Sequence, residues 1–186
     1  MQIYDLFKKA GKEHREEGPS YIAYRDDGKI SSVNYYKDGG LHREDGPAHI
    51  EYFESGIIFT EEYYINDNLH REGGPAFIRY RSNGNVHTEG YYIDDKKHRE
   101  EGYSFIEYFE DGSVFYEQYH QNDYLHREGG PAFIQFNRDG SIRFERYYEH
   151  YKLHRVDGPA IIEYDKSGEI ISKKYFIAGE EKNDDV

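Results

Sequence analysis

The chain of 186 residues contains no cysteine, which excludes disulfides and thiolate metal sites. It also lacks an apolar run long enough to span a membrane, and residues 1–9 lack the apolar segment and cleavage site of a signal peptide. A cytoplasmic location is therefore expected. The net charge of −13 disfavours binding to nucleic-acid phosphates or to anionic lipid surfaces.

Apolar residues are scarce as well, at 36% of the chain. Low apolar content together with a high net charge is typical of disordered chains. The 21 Tyr and 11 Phe residues argue against disorder. A tyrosine buries its ring and leaves its hydroxyl group in water, so this composition suits a thin folded structure with little dry core.

What the chain has is a repeat. The dipeptide His-Arg recurs every 28 residues, without insertions, starting at His14. Repeats 1 to 6 span residues 13–40, 41–68, 69–96, 97–124, 125–152 and 153–180. Equal spacing means that each repeat occupies the same length along an axis, and such arrays bury their apolar surface against neighbouring repeats.

Repeat 2 shows the local pattern. Residues 48–53 alternate as a strand, with Ala48, Ile50 and Tyr52 on one face. Gly56 supplies a positive φ in the turn that follows, and residues 58–65 form a second strand. Asn-Asp-Asn at 66–68 then turns the chain into the next repeat. The pattern predicts an all-β fold of six hairpins, joined as an elongated single-layer antiparallel sheet or solenoid.

The segments that flank the repeats differ from them. Ile3, Leu6, Phe7 and Ala10 have helical spacing, so residues 1–12 are predicted to form a short capping helix. Residues 181–186 form a polar, acidic tail.

The repeat, with Leu-His-Arg-Glu-Asp-Gly-Pro-Ala at 41–48 and Glu-x-Tyr-Tyr at 61–64, resembles the MORN-variant repeat of antitoxins of the YwqK type. It is also similar to uncharacterised repeat proteins of bacteria, phages and giant viruses. The resemblance covers residues 13–180. It implies successive hairpins in an antiparallel sheet and a role in protein contacts, and it implies no catalytic residues.

The His-Arg column is interpreted as a structural ladder in which Arg bonds to the neighbouring hairpin and His stacks on Tyr. Adjacent positions are at least one hairpin apart, about 9–10 Å, which is too far for two imidazoles to share a metal ion. No metal site and no cofactor are expected. The ladder comprises His42, Arg43, His70, Arg71, His98, Arg99, His126, Arg127, His154 and Arg155.

Variable positions are the better candidates for specificity, because packing between repeats does not dictate them. Repeats 2 and 4 carry net charges of −6 and −5, whereas repeats 3 and 5 carry 0 and +1. An acidic band that bears aromatic residues is suited to a partner protein with a basic surface, or to mimicry of nucleic-acid phosphates. The predicted partner-binding residues are Glu51, Phe53, Phe77, Phe105, Glu107 and Phe109.

The functional prediction is a non-enzymatic binding protein, plausible as an inhibitor of a toxin or host protein in an antitoxin or phage anti-defence setting. No catalytic residues are assigned, because the chain has no nucleophile or phosphate-binding motif outside the repeat pattern. Two alternatives stay open. One is a nucleotide or sugar binder that uses the repeated Tyr and His-Arg columns. The other is a self-assembling structural protein, with an oligomeric state that the sequence does not give.

Overall fold

The computed structural model describes residues 3–183, including all side chains except that of Ile3. These residues are all-β, and the chain divides into two compact bodies, an N-terminal half (residues 3–96) and a C-terminal half (97–183). None of the described residues belongs to a helix that is long and apolar enough to cross a membrane.

The described residues form 26 strands. In the N-terminal half the strands are β1 Ile3–Leu6, β2 Lys8–Lys9, β3 Lys12–Glu13, β4 Tyr21–Tyr24, β5 Ile30–Asn34, β6 Tyr36–Lys37, β7 Gly40–Leu41, β8 His49–Tyr52, β9 Ile58–Glu62, β10 Tyr64–Ile65, β11 Asn68–Leu69, β12 Phe77–Tyr80, β13 Val86–Gly90 and β14 Tyr92–Ile93. Strand β15, Lys96–Lys97, lies at the boundary. In the C-terminal half they are β16 Phe105–Tyr108, β17 Val114–Gln118, β18 His120–Gln121, β19 Tyr124–Leu125, β20 Phe133–Phe136, β21 Ile142–Arg146, β22 Tyr148–Glu149, β23 Lys152–Leu153, β24 Ile161–Tyr164, β25 Ile170–Ile177 and β26 Glu180–Lys182.

The longer strands pair with their neighbours in chain order. The hydrogen-bonded order is β1-β4-β5-β8-β9-β12-β13 in the N-terminal half and β16-β17-β20-β21-β24-β25-β26 in the C-terminal half. Every measured pairing is antiparallel, as successive hairpins require. The prediction of an antiparallel sheet built from repeated hairpins is confirmed.

Each long hairpin turns at an Asp-Gly, Asn-Gly or Ser-Gly dipeptide. In repeat 1, the Arg25 amide donates to the Lys29 carbonyl at 2.8 Å, and Gly28 adopts a φ of +80°. Asp27 also accepts a hydrogen bond from the Lys29 amide through its side chain. Gly56, for which the sequence predicts a positive φ, has a φ of +89°, so that prediction is confirmed. Directly after the turn, the register slips by one residue, because Tyr24 pairs with Ile30 while Ala23 pairs with Ser32. Ser31 is therefore a β-bulge.

The polar segment at the end of each repeat is a second, shorter hairpin rather than a simple turn. In repeat 2, β10 pairs with β11 around Asn66 and Asp67, which have φ values of +51° and +67°. Two adjacent positive φ values define the tight turn that Asn and Asp tolerate best. The predicted second strand, residues 58–65, is thus interrupted at Tyr63, where the chain passes into this short hairpin.

The predicted N-terminal helix is wrong. Ile3–Leu6 is strand β1, which pairs antiparallel with β4. Residues 8–13 form a short hairpin around Ala10 and Gly11, which have positive φ values. The spacing of four apolar residues gave a helical signal, but an open strand edge on β4 offers backbone partners that a lone helix does not. Residues 1–2 of the predicted cap lie outside the described residues.

The predicted acidic tail begins inside the fold, because Glu181 and Lys182 belong to β26 and pair with β25. Residues 184–186 lie outside the described residues.

The buried apolar residues of the core are few and mostly small. Its most buried members are small residues at the start of each long hairpin, and Ala48, Ala76, Ala132 and Ala160 are 0% exposed. Beside them lie Ile residues of the first strand, of which Ile106 is 2% exposed.

Candidate partner-binding face

Strand alternation divides the long hairpins into two faces with different sequence behaviour. We call the face that carries Ala48, Ile50, Tyr52 and Glu61, with their counterparts in other repeats, the constant face. The opposite face carries His49, Glu51, Phe53, Phe59, Thr60 and Glu62 with their counterparts, and we call it the variable face. Cross-strand pairing of Ile50 with Glu61 and of Glu51 with Thr60 supports this division.

On the constant face, tyrosines of one repeat bond to acids of the repeat before it. Tyr80 donates its hydroxyl to Glu61 at 2.7 Å, and Tyr164 donates to Glu145 at 2.8 Å. Burial, followed by the bond to Glu145, raises the pKa of Tyr164 to about 12. Because the pair spans two repeats, it holds adjacent hairpins together.

Four of the five ladder arginines pack on tyrosines of the preceding repeat, and the fifth, Arg99, lies 5.1 Å from the ring centroid of Tyr103 in its own repeat. The distance from guanidinium carbon to ring centroid is 4.0 Å for Arg43 on Tyr35 and 3.9 Å for Arg71 on Tyr63. Arg127 on Tyr119 and Arg155 on Tyr147 repeat the arrangement at 3.8 and 4.0 Å. These distances fit a cation–π contact, which pins each connecting loop to the hairpin behind it.

The same guanidinium groups close the loop that follows them. Arg43 donates to the Pro47 carbonyl at 3.3 Å and to Asp45 at 2.8 Å. A Cβ atom at Gly46 would lie 2.8 Å from the Arg43 guanidinium carbon, so a larger residue does not fit there without displacing the arginine. The corresponding distance is 3.1–3.3 Å in repeats 3 to 6, and the glycine of repeats 1 and 4 also has a positive φ, so both factors favour the glycine that recurs in all six repeats.

Four of the five ladder histidines, His42, His70, His98 and His154, accept a hydrogen bond from a backbone amide, whereas the His126 ring lies 5.2 Å from the His150 ring. Nδ1 of His42 accepts a hydrogen bond from the Asn66 amide at 3.2 Å, and Nδ1 of His154 accepts one from Ala178 at 3.0 Å. The donor sits at the positive-φ tip of the short hairpin in the same repeat. Within residues 3–183, no group of three His, Asp or Glu side chains is arranged to hold a metal ion.

The variable face of the C-terminal half carries a row of three aromatic rings, one on each of the strands β16, β17 and β20. Phe105 stacks with Tyr116 at a centroid distance of 6.0 Å, and Tyr116 stacks with Phe133 at 5.7 Å. The row ends in cations, because the Lys97 ammonium lies 4.8 Å from the Phe105 ring and the Arg146 guanidinium lies 5.3 Å from Phe133. We call these five residues the aromatic row.

The β-bulge thickens this surface. Phe115 is the bulge residue of β17, and Phe115 and Tyr116 both point to the variable face although they are consecutive. Phe115 contacts Phe109 at 4.8 Å, and Arg138 covers Phe109 at 4.7 Å. A regular strand would send one of the two consecutive rings to the other face, so the bulge brings an extra ring to this one.

In the N-terminal half, the variable face is less aromatic and more charged. Phe53 packs against Phe59 at 4.9 Å, and the exposed Arg79 lies between Phe59 and Phe77 at 5.6 and 5.5 Å. The Glu51 side chain is 45% exposed and its carboxylate lies 3.6 Å from the His49 imidazole.

All six predicted partner-binding residues lie on the variable face, in two separate groups. Glu51, Phe53 and Phe77 lie in the N-terminal half, and the other three lie in the C-terminal half. In the second group, burial, followed by the charge of Glu107 and its hydrogen bond, raises the pKa of Tyr116. Glu107 is thus partly engaged inside the protein, while Glu51 is more open to a partner.

The sequence reasoning missed the residues that the second strand contributes to this face, notably Phe59, Phe115, Tyr116 and Phe144. A signal was present, since these columns vary between repeats as much as those of the first strand do. Assigning them to a face requires the position of the bulge, which alternation alone does not give.

Taken together, the fold and its two faces define a tandem β-hairpin repeat protein with a constant packing face and a variable surface. No protein-family model matches the chain, and no curated protein matches it.

Proposed function

We propose that the protein is a non-enzymatic binding protein that recognises a partner protein through its variable face. The observation that carries this proposal is the aromatic row with its two terminal cations, which occupies positions whose residue type changes from repeat to repeat. Half-exposed aromatic and arginine side chains are the residue types that supply most binding energy in protein interfaces.

Ring packing within the row favours a protein partner over a flat small molecule. Tyr116 has Phe105 on one side and Phe133 on the other, with interplanar angles of 17° and 26°. A base or a sugar needs a free ring face on which to stack. Here the ring faces already contact neighbouring rings or cations, so a partner would meet the upper edges of the row as a ridge.

Charge favours a partner with basic groups. The chain carries a net charge of −13, and Glu51 and Glu62 place two carboxylates on the variable face of repeat 2. Attraction of this kind accelerates association and selects against acidic surfaces such as nucleic acids. A cytoplasmic inhibitor of a toxin or a host protein, as the MORN-variant resemblance suggests, would work in this way.

The test is a charge reversal with a matched control. Glu51→Lys combined with Glu107→Lys changes the variable face, while Glu54→Lys combined with Glu110→Lys makes the same change on exposed turns of the same two repeats. Tagged wild type and both variants are used to isolate partners from a lysate, followed by calorimetry with the purified partner. We expect the face variant to lose at least ~10-fold in affinity, about 1.4 kcal/mol, and the turn variant to keep it.

Thermal unfolding checks that a loss of affinity is not caused by unfolding of the variant. The face variant should melt within a few degrees of the wild type, because Glu51 and Glu107 are only half-buried. A partner that binds both variants as tightly as the wild type would refute the assignment of this face.

A further inference from the structure

Residues 3–13 reproduce the second half of a repeat in their backbone contacts. The Phe7 amide donates to the Ser20 carbonyl at 2.8 Å, the same bond that Tyr35 makes to Ala48 at 2.8 Å. In both cases, the donor ends a second strand and the acceptor precedes the first strand of the following repeat. The segment therefore sits on β4 as any interior half-repeat sits on the next repeat.

Side-chain contacts of the segment follow the interior pattern as well. Tyr4 stacks on Tyr21 at 5.7 Å and 26°, the values found for Tyr116 on Phe133. Tyr24 donates to Asp5 at 2.8 Å, as tyrosines elsewhere on the constant face donate to an acid of the preceding repeat. The match shows that the edge of β4 is a standard docking surface for a second strand.

The packing of this half-repeat is looser than that of the interior ones. Tyr4 is 54% exposed and Phe7 is 40% exposed, whereas Tyr35, the counterpart of Phe7, is half-buried. Among the residues that the structure describes, strand β1 also pairs on one side only, with β4. Few buried contacts mean that this element opens at a low free-energy cost.

In repeat 6, at the C-terminal end of the array, strand β25 has an open edge. Residues 170–174 of β25 occupy the repeat position that β1 imitates, and among the described residues they pair only with β24. In the interior repeats, this side of the strand is covered by the next first strand. Ile171, at the bulge position, is 59% exposed, so an apolar side chain accompanies the open edge.

The backbone direction of the two edges can be read from the interior repeats. The Tyr35 amide points to the next repeat, and alternate residues of an antiparallel strand point the same way. Asp5 lies two residues before Phe7, and Lys173 lies two residues before Tyr175, at this same position of their repeats. The Asp5 amide thus faces β4, and the Lys173 amide faces outward from β25.

We propose that residues 3–13 are an intramolecular cap over an edge that fits strand β25 of a second copy of this chain. The occupant is specified by the repeats themselves, because β25 has the strand position and backbone direction of β1. Such head-to-tail contact leaves the β25 edge of the first copy and the β4 edge of the second copy free, so it extends into chains instead of closing into a dimer. The tethered cap competes at an effective concentration of about millimolar, which keeps the wild type unassembled at micromolar concentration.

The experiment uses four full-length proteins. Asp5→Pro removes the amide that faces β4 and releases the cap, while Lys173→Pro removes the outward amide of β25 and leaves the β24 pairing intact. Light scattering on a size-exclusion column follows the mass of each over a tenfold range of concentration. We expect the mass of Asp5→Pro to rise about twofold or more over this concentration range. The masses of the wild type, of Lys173→Pro and of the double variant should not change.

Far-UV circular dichroism checks that each variant is folded. If Asp5→Pro loses the β signal, Phe7→Ser serves as the opening variant, since it removes the ring against Arg15 and keeps every backbone donor. A folded opening variant of constant mass overturns the proposal. Growth that persists in the double variant also overturns it, because assembly would then not use β25.

Discussion

The constant and variable faces belong to the same strands but differ in what limits their sequence. On the constant face, tyrosines contact an acid of the neighbouring repeat, as Tyr80 contacts Glu61 and Tyr164 contacts Glu145. On the variable face, a stack such as Phe105 with Tyr116 has a different composition in each repeat. A stacked array fixes one face by packing and leaves the other open to change, which is where binding specificity can develop.

The largest difference in stability between substitutions on the two faces is expected at the buried alanines. Ala76 is 0% exposed, so in Ala76→Leu the added carbons must displace packed neighbours. We expect the free energy of unfolding to fall by about 1–3 kcal/mol or more. Phe77→Leu, at the adjacent half-buried position of the variable face, should cost below about 1.5 kcal/mol. Urea unfolding measures both, and equal losses would mean that the two faces are equally constrained.

A second prediction concerns a repeat position that holds tyrosine in most repeats but a different residue in repeat 4. Four repeats have Tyr after the recurrent tyrosine, but repeat 4 has His120, which is 7% exposed and bonds to the Ser104 hydroxyl at 2.8 Å. Burial, together with the nearby Lys97, lowers the pKa of His120 to about 4. The folded protein therefore holds this imidazole neutral at pH values where the unfolded chain has already protonated it.

The direction in which pH changes the stability follows from proton uptake by the unfolded chain. Between pH 6.5 and 4 the unfolded state binds more protons at this site, so stability falls as the pH falls through that window. The loss by pH 5 is up to about 2 kcal/mol. His120→Tyr, which introduces the residue that four other repeats carry, should remove this contribution. Unfolding curves at pH 8 and pH 5 measure it, and an unchanged difference between the two pH values in the variant would contradict it.

The smallest expected difference in stability is between substitutions of two arginines in the same repeat. Arg71 lies on the Tyr63 ring and donates to the Pro75 carbonyl at 3.1 Å, while Arg79 is exposed on the variable face. Arg71→Lys loses the planar stacking and should cost about 1 kcal/mol, whereas Arg79→Lys should stay within about 0.5 kcal/mol. Thermal unfolding compares them. A similar small cost for both would show that the stacking contributes little.

Much of the architecture could be predicted from the sequence. The spacing of His-Arg located the repeats, and the turn glycines located the long hairpins, as the confirmed positive φ of Gly56 illustrates. The apolar spacing of residues 3–10 led to the wrong prediction of a helix, because the same spacing is compatible with a helix and with the second half of a repeat. The contact of the ladder histidines was also unforeseen, since the donor to His42 is a backbone amide 24 residues away.

The variable face was only half predicted for a related reason. Alternation placed Glu51, Phe53 and Phe105 on one face, but the residues of the second strand depend on the register after the turn. The bulge at Phe115 shifts that register by one residue and brings Tyr116 against Phe105 and Phe133. Sequence periodicity carries no information about an extra residue in one strand of a pair.

The sequence by itself determined the number of repeats, their equal length, the hairpin turns and the strand alternation, because these depend on local propensity and on spacing. Tertiary structure decided which rings meet on the variable face, how Arg43 closes its loop over Gly46, and that residues 3–13 dock on β4. Each of these depends on contacts between residues that are distant in the chain, and such contacts form only when one hairpin lies against the next.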